Sequence, residues 1–200
     1  MTRLVLATRN RGKIVELERI LAAAGLDVEL VGVDAFPDLA DVPETGATFA
    51  ENALIKAHAV ASATGLPAVA DDSGICVDAL NGMPGVLSAR WAGRHGDDVA
   101  NLELVLAQLA EVPDERRTAH FACAAALALP DGREEVVEGR LDGHVIRGPR
   151  GTNGFGYDPV FVPDGESRTT AELSPDEKDA ISHRGRAFRA LATRVAALLG

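Results

Sequence analysis

Apolar residues cluster over residues 3–7 (RLVLA), which predicts a short buried strand. Over residues 13–24 the apolar positions recur at helical spacing. Ile14, Leu17 and Leu21 form one stripe, and Gly25 follows as a stop. Residues 30–33 read as a second short strand. Residues 34–47 are rich in Pro, Asp and Gly, carry no period, and read as a loop. A helix is predicted over residues 48–63, with Phe49, Ala53 and Lys56/Ala57 at helical spacing and Gly65-Leu66-Pro67 as its end. Residues 68–70 read as a strand and residues 75–80 as a further extended piece. Residues 101–109 predict a helix with Leu102, Val105, Leu106 and Leu109 on its apolar face.

The period then changes to two. Phe121, Cys123, Ala125, Leu127 and Leu129 share one face over residues 119–129. Pro130-Asp131-Gly132 makes a turn, and residues 134–146 return, which is a hairpin pattern. Residues 182–199 predict the closing helix. No internal repeat or low-complexity segment interrupts this order. A βαβ-like beginning followed by a hairpin argues for an α/β fold with a mixed sheet. A length of 200 residues suits one domain, with two closely joined lobes and no separable linker.

Charge narrows the function. The net charge of −10 is the reverse of what a general nucleic-acid binder needs, because affinity for the backbone comes from Lys and Arg on phosphates. A local basic pocket for a small anion stays open. Cys76 and Cys123 both lie in apolar runs and read as buried, reduced thiols. Only four apolar residues precede the first polar stretch, fewer than a secretory leader needs, and no apolar run approaches the ~20 residues of a membrane span. A cytoplasmic protein with no membrane partner is expected.

Four segments carry candidate chemistry. Thr8-Arg9-Asn10-Arg11-Gly12-Lys13 joins the first strand to the first helix, where free N–H groups and the helix dipole favour a phosphate. It is neither a P-loop nor a dinucleotide-binding glycine loop, and a capped helix with a solvated basic face fits it equally. Of the 20 basic residues, 17 are Arg and only Lys13, Lys56 and Lys178 are Lys, as if a compact ammonium were kept for particular places. Asp71-Asp72 ends an apolar strand, and hard carboxylate oxygens suit Mg²⁺ together with substrate phosphates. Asp, Ser and Gly are also ordinary turn residues. If the strand persists to Asp72, the two carboxylates point to opposite faces and cannot share one job.

Gly151-Thr152-Asn153-Gly154-Phe155-Gly156-Tyr157-Asp158-Pro159 is the third segment, and a glycine-rich loop leading into a strand over residues 160–162 is its plain reading. Its Phe155 and Tyr157 read as two exposed aromatics among only eight in the chain, and a ring there is a stacking surface for a base. The fourth is Ser182-His183-Arg184-Gly185-Arg186 at the start of the last helix, where Ser182 also fits as a plain helix cap. Positive charge in a first helical turn opposes the dipole, which is easier to understand if His183 and Arg184 face a ligand. An Arg donates to a carbonyl and cannot accept from an amino group, so such a site favours a 6-keto purine. His58, His95, His120 and His144 show no metal-ligand spacing.

These segments together resemble the inosine triphosphate pyrophosphatases. The residues that carry the resemblance are LATRNRGK (6–13), ETGATFAENALIKA (44–57), ADDSG (70–74), GFGYDPVF (154–161) and SHRGRA (182–187), in family order. SARWAG (88–93) and AELSPDEKDAISHRGRA (171–187) extend it. The resemblance implies an elongated mixed sheet with flanking helices, two lobes around a nucleotide cleft, and a homodimer. It implies hydrolysis of ITP, dITP or XTP to the monophosphate and pyrophosphate with Mg²⁺. By position, Asp72 is the expected proton acceptor and metal ligand, with Ser73 as its substrate-binding neighbour. Thr8, Arg9, Asn10, Arg11, Gly12 and Lys13 would hold phosphates. Phe155, Gly156, Tyr157 and Asp158 would meet base and sugar, and Lys178, His183 and Arg184 would read the base. Lys56 and Asp71 take supporting roles. One position departs from the pattern: Pro43 stands where many relatives carry a metal-binding Glu, and Glu44 beside it is the expected substitute. A pyrophosphatase for other modified nucleotides and a nucleotide-binding module without turnover are the alternatives.

Overall fold

The structure, a computed structural model, describes residues 2–23, 25 and 28–199. In chain order the elements are β1 (Thr2–Leu6), α1 (Arg11–Ala23), β2 (Val28–Gly32), α2 (Phe49–Thr64), β3 (Ala68–Val77), β4 (Met83–Pro84), α3 (Asp98–Gln108), β5 (Thr118–Ala128), β6 (Glu134–Val145), β7 (Phe161–Pro163), α4 (Pro175–Ile181) and α5 (His183–Leu199). The strands form one mixed sheet in the order β2-β1-β3-β5-β6-β7, with β4 on β3. β1 runs parallel to β2 and β3, while β4 is antiparallel to β3 and β7 to β6. The expected α/β class with a mixed sheet and flanking helices holds. Ala24, the expected last residue of the first helix, lies outside the described residues.

Packing divides the chain into two compact units. One comprises Met1–Asp72, Cys123–Gly139 and Arg184–Gly200, and the other Ser73–Ala122 and Arg140–His183. In the first unit the sheet is covered on both sides. Leu17, Ile20 and Leu21 of α1 and Phe188, Leu191 and Val195 of α5 pack with Leu4, Leu6, Val69, Cys123, Ala125 and Leu127. On the opposite side Ala53, Ala57, Val60 and Ala61 of α2 pack with Val5, Ala68, Ala70, Ala124, Ala126 and Ala128. The run of alanines on β5 thus has a purpose: small side chains let α2 lie close to the sheet, while the larger residues of the same strand fill the other layer. In the second unit Ile75, Val77, Leu102, Val105, Leu109, Phe121 and Phe161 form a separate core.

β3 decides between two readings of the sequence. The apolar pattern predicts two extended pieces, 68–70 and 75–80, with either a turn or a continued strand at Asp71-Asp72 between them. One ten-residue strand runs through the carboxylates, and Asp78–Leu80 is a 3₁₀ turn. The strand lies inside the sheet, between β1 and β5. Gly74 also permits a close approach: a Cβ there would lie 2.3 Å from Ser88 Oγ and 2.4 Å from Gly85 O. Ser88 Oγ fills that space, accepting from the Ile75 amide (3.0 Å) and donating to Gly85 O (2.7 Å).

Gly74→Ala is expected to lower stability by about 1–3 kcal/mol through overpacking, read as a lower denaturant midpoint at unchanged slope. An unchanged midpoint would mean that the 85–88 segment yields freely.

Candidate functional site

Asn10 ends the loop after β1 and caps α1. Its Oδ1 accepts from Lys13 N (3.2 Å), and its own amide donates to Thr8 Oγ1 (3.2 Å). Arg11 and Gly12 form the exposed first turn of the helix. Arg9 turns onto the loop after β2, where it donates to Leu39 O (2.7 Å) and pairs with Asp41 (3.0 Å) and Asp34 (3.6 Å). The six residues expected to bind phosphate therefore lie together on one turn.

Asp71 and Asp72 do face opposite layers. Asp71 points to the α1/α5 side, where Lys13 Nζ donates to its Oδ2 (2.9 Å) and Arg184 Nε lies 3.4 Å from the same oxygen. Arg184 also forms a short ion pair with Glu16 of α1, and all three of Asp71, Glu16 and Arg184 are buried. Burial disfavours the Asp71 carboxylate, but Lys13, Arg184 and Lys56 outweigh it and hold its pKa well below the ordinary 3.8. Cys123 packs beside it with Sγ 3.9 Å away, and burial and the Asp71 charge push that thiol far up. Both cysteines are free and buried, as expected.

Asp72 points to the α2 side. Asn52 Nδ2 donates to its Oδ2 (3.1 Å), and Lys56 Nζ donates to its Oδ1 (3.3 Å). The same ammonium donates to Glu44 Oε1 (2.8 Å). Burial raises the Asp72 pKa; Lys56 opposes this, and the nearby Glu44 charge adds to it. Lys56 is itself raised: burial works against its charge, but Asp72, Asp71 and Glu44 all favour it. One ammonium serves several carboxylates, so it is held more firmly in its charged form than Asp72 is. Adjacent aspartates are thus pushed in opposite directions, which is the pattern expected when two carboxylates have different roles.

In the second unit Asp158 joins two of the remaining predicted residues, Phe155 and Lys178. Lys178 Nζ donates to Asp158 Oδ2 (2.6 Å), as does Phe155 N (2.9 Å), and Thr170 Oγ1 donates to Oδ1 (2.8 Å). The Lys178 ammonium lies 5.1 Å from the Phe155 ring centroid, within cation–π range. Gly156 N donates to Asp98 Oδ2 (2.9 Å). Tyr157 corrects the expectation of two exposed aromatics. It is buried in the core, its hydroxyl donates to Ser88 O (2.8 Å), and burial raises its pKa. His183 stacks on Phe121 with centroids 4.8 Å apart and planes inclined by 11°. Ser182 is buried and stands between α4 and α5, its amide donating to Lys178 O (2.8 Å). Ser73 is half-buried, one residue beyond Asp72 on β3.

Arg184 differs from the sequence reading in its surroundings. Its charge in the first turn of α5 is met by Glu16 and Asp71. Glu16, Asn52 and Asp98 are the polar residues the sequence reading missed. A lone Glu or Asn on an apolar helical face was the available signal for the first two. α4 was missed as well, although Ser174 and Glu177 form a capping box that marks its start.

Among the described residues no group of three or more His, Cys, Asp or Glu is placed to hold a metal ion. Glu44 and Asp72 nevertheless direct hard oxygens at one ammonium, a donor set that fits a Mg²⁺ ion completing its shell with water and phosphate oxygens. No described helix is long and apolar enough to cross a membrane.

Both the sequence and the fold are similar to those of known proteins. The model of the Ham1 family matches residues 4–194. A dITP/XTP pyrophosphatase of Streptomyces coelicolor is 70% identical over 200 residues, the whole of both chains. One from Mycobacteroides abscessus is 60% identical over 190 residues, 94% of this chain and 92% of the relative. Among solved structures, a nucleoside-triphosphatase / dITP/XTP pyrophosphatase from Mycobacterium abscessus is 59% identical with a TM-score of 0.78, covering 95% of this chain and 98% of that one. A HAM1 protein from Coxiella burnetii is 43% identical with a TM-score of 0.88, covering 98% and 99%. The chain belongs to the Ham1 family.

The Asp71 network makes a pH-dependent contribution to stability. Its folded pKa is depressed, so the contribution is full above the ordinary carboxylate value and declines as pH falls below about 3.8. Asp71→Asn is expected to cost about 3 kcal/mol at pH 7, as for a broken buried pair, with the deficit shrinking between pH 4 and 3. Denaturant titrations of both proteins at pH 7, 5, 4 and 3 check this; a deficit that is constant with pH contradicts it.

Proposed function

We propose that the protein is a nucleoside-triphosphate pyrophosphatase. It hydrolyses the non-canonical purine nucleotides dITP, ITP and XTP to the monophosphate and pyrophosphate, removing them from the nucleotide pool. Relatives at 60–70% identity over nearly the full length carry the name dITP/XTP pyrophosphatase. The observation that carries the reading is the buried Asp72, held with Glu44 on one lysine, while Asp71 one residue earlier holds Lys13 at the phosphate-binding turn.

Products of monophosphate and pyrophosphate require water to attack phosphorus at the anhydride between the first and second phosphates. The turn of Thr8, Arg9, Asn10, Arg11, Gly12 and Lys13 binds the phosphates. Asp71 orients the Lys13 ammonium toward them, and Arg184 with Glu16 fixes Asp71, which makes Arg184 a positioning residue. Asp72 orients the attacking water and takes its proton; a raised pKa makes it the better base of the two aspartates. Lys56 stabilises charge on the phosphates, and Ser73 donates to them. Glu44 and Asp72 would hold Mg²⁺. When bound, the ion supplies charge neutralisation to the triphosphate.

Phe155 offers its face to the base, and its pose is set by Lys178 and by the Asp158 and Asp98 contacts to the loop. Lys178 and His183 donate to keto oxygens of the base. An adenine amino group would meet these donors with a donor and leave them unpaired, which is a strong basis for rejection. Tyr157 and Gly156 keep the loop in place. A homodimer in the cytoplasm completes the reading.

Two measurements test it. Pyrophosphate release from a panel of nucleotides with Mg²⁺ is expected to favour dITP, ITP and XTP over dATP by at least about a hundredfold, the scale set by unpaired buried donors. Faster turnover of dUTP, dTTP or a methylated nucleotide would refute the purine reading. Asp72→Asn is expected to lower kcat by about 10²–10⁴-fold while ITP binding persists. Full activity of that variant removes Asp72 from the chemistry, and wild type that binds ITP and Mg²⁺ without releasing pyrophosphate would be a binding module.

A further inference from the structure

Asn52 of α2 has no solvent exposure, and both ends of its amide are used. Its Oδ1 accepts from the Gly46 amide (2.7 Å) and its Nδ2 donates to Asp72 Oδ2 (3.1 Å). The Gly46 backbone comes so close that a Cβ would lie 2.6 Å from Glu51 Cβ and 2.8 Å from Asn52 Oδ1. Gly46 stands two residues after Glu44. Asn52 therefore ties the segment that carries Glu44 to the strand that carries Asp72. Lys56, one turn later on α2, makes a parallel link, from its ammonium to Glu44 Oε1 and Asp72 Oδ1.

The two links differ in charge. A divalent cation taken up by Glu44 and Asp72 competes with the Lys56 ammonium for the same oxygens and repels it. The amide of Asn52 is neutral, lies on the other Asp72 oxygen, and reaches Glu44 only through backbone. It is unaffected by that exchange.

We propose that Asn52 is a positioning residue that keeps Glu44 and Asp72 gathered as one cation site when the Lys56 ammonium gives way. The proposal rests on the pyrophosphatase reading for its nucleotide and on the carboxylate geometry for its cation. Asn52 touches neither phosphate nor base and acts through Gly46 and Asp72.

The test titrates Mn²⁺ into protein saturated with a non-hydrolysable imido analogue of deoxyinosine triphosphate, with free ion read by electron paramagnetic resonance. Wild type, Asn52→Ala and the similarly sized Asn52→Leu are compared, and cooperative thermal unfolding establishes that each is folded. A lost positioning partner around a metal typically weakens binding by about 10–100-fold, so both variants are expected to raise the Mn²⁺ Kd at least about tenfold. Turnover of dITP should lose kcat to a similar degree while KM stays within about threefold. Folded variants that bind Mn²⁺ like wild type would overturn the proposal, as would wild type that binds no Mn²⁺. Failure of both variants to fold would also overturn it, by making Asn52 a residue of the fold alone. Wild type that releases no pyrophosphate from any nucleotide, with the Mn²⁺ result intact, would instead refute the pyrophosphatase reading and leave the Asn52 assignment standing.

Discussion

A strand covered on both faces must deliver consecutive side chains to different layers, and β3 uses this rule on two adjacent aspartates. Everything assigned to the first unit follows from it. Asp71 enters the layer made by α1 and α5, so its partners are Lys13 and Arg184. Asp72 enters the layer made by α2, so its partners are Asn52 and Lys56. Neither burial is affordable without those partners, since an ionised carboxylate away from water needs opposite charge and hydrogen bonds. The surroundings then decide the character of each group. Two cations beside Asp71 fix it as an anion, whereas burial, with Glu44 adding to it, makes the charge of Asp72 less secure.

Much of this was legible in the chain. Helical stripes, the period-two run of β5 and the glycine stops mark the elements to within a few residues. Alternation alone separates Asp71 from Asp72. Three things were hidden, each for a physical reason. Asp, Ser and Gly are ordinary turn residues by local propensity, and whether a strand runs through them depends on its place in the sheet. Tyr157 reads as exposed because it sits in a glycine-rich stretch, yet its partner Ser88 lies 69 residues away in sequence. Glu16 and Arg184 are 168 residues apart, and nothing in either local pattern announces the other. Long-range polar pairs between buried side chains leave no period to detect.

The loop around Phe155 illustrates the same division of labour in the second unit. Its glycines were readable as freedom; the structure adds what removes that freedom. Asp158, Asp98 and Ser88 each accept one hydrogen bond from the loop. The ring is thereby presented in one pose, so less conformational entropy remains to be lost when a base stacks on it.

The scarcity of lysine has a practical meaning. All three lysines donate to buried aspartates: Lys13 to Asp71, Lys56 to Asp72 and Lys178 to Asp158. Their side chains are only 15, 13 and 9% exposed. No lysine ammonium is left as a general surface group. Amine-reactive reagents, which attack the free base, therefore meet a protein whose lysines are all ion-paired and shielded. The α-amino group apart, the rate of such labelling becomes a clock for local opening around these three aspartates, with each peptide reporting its own carboxylate.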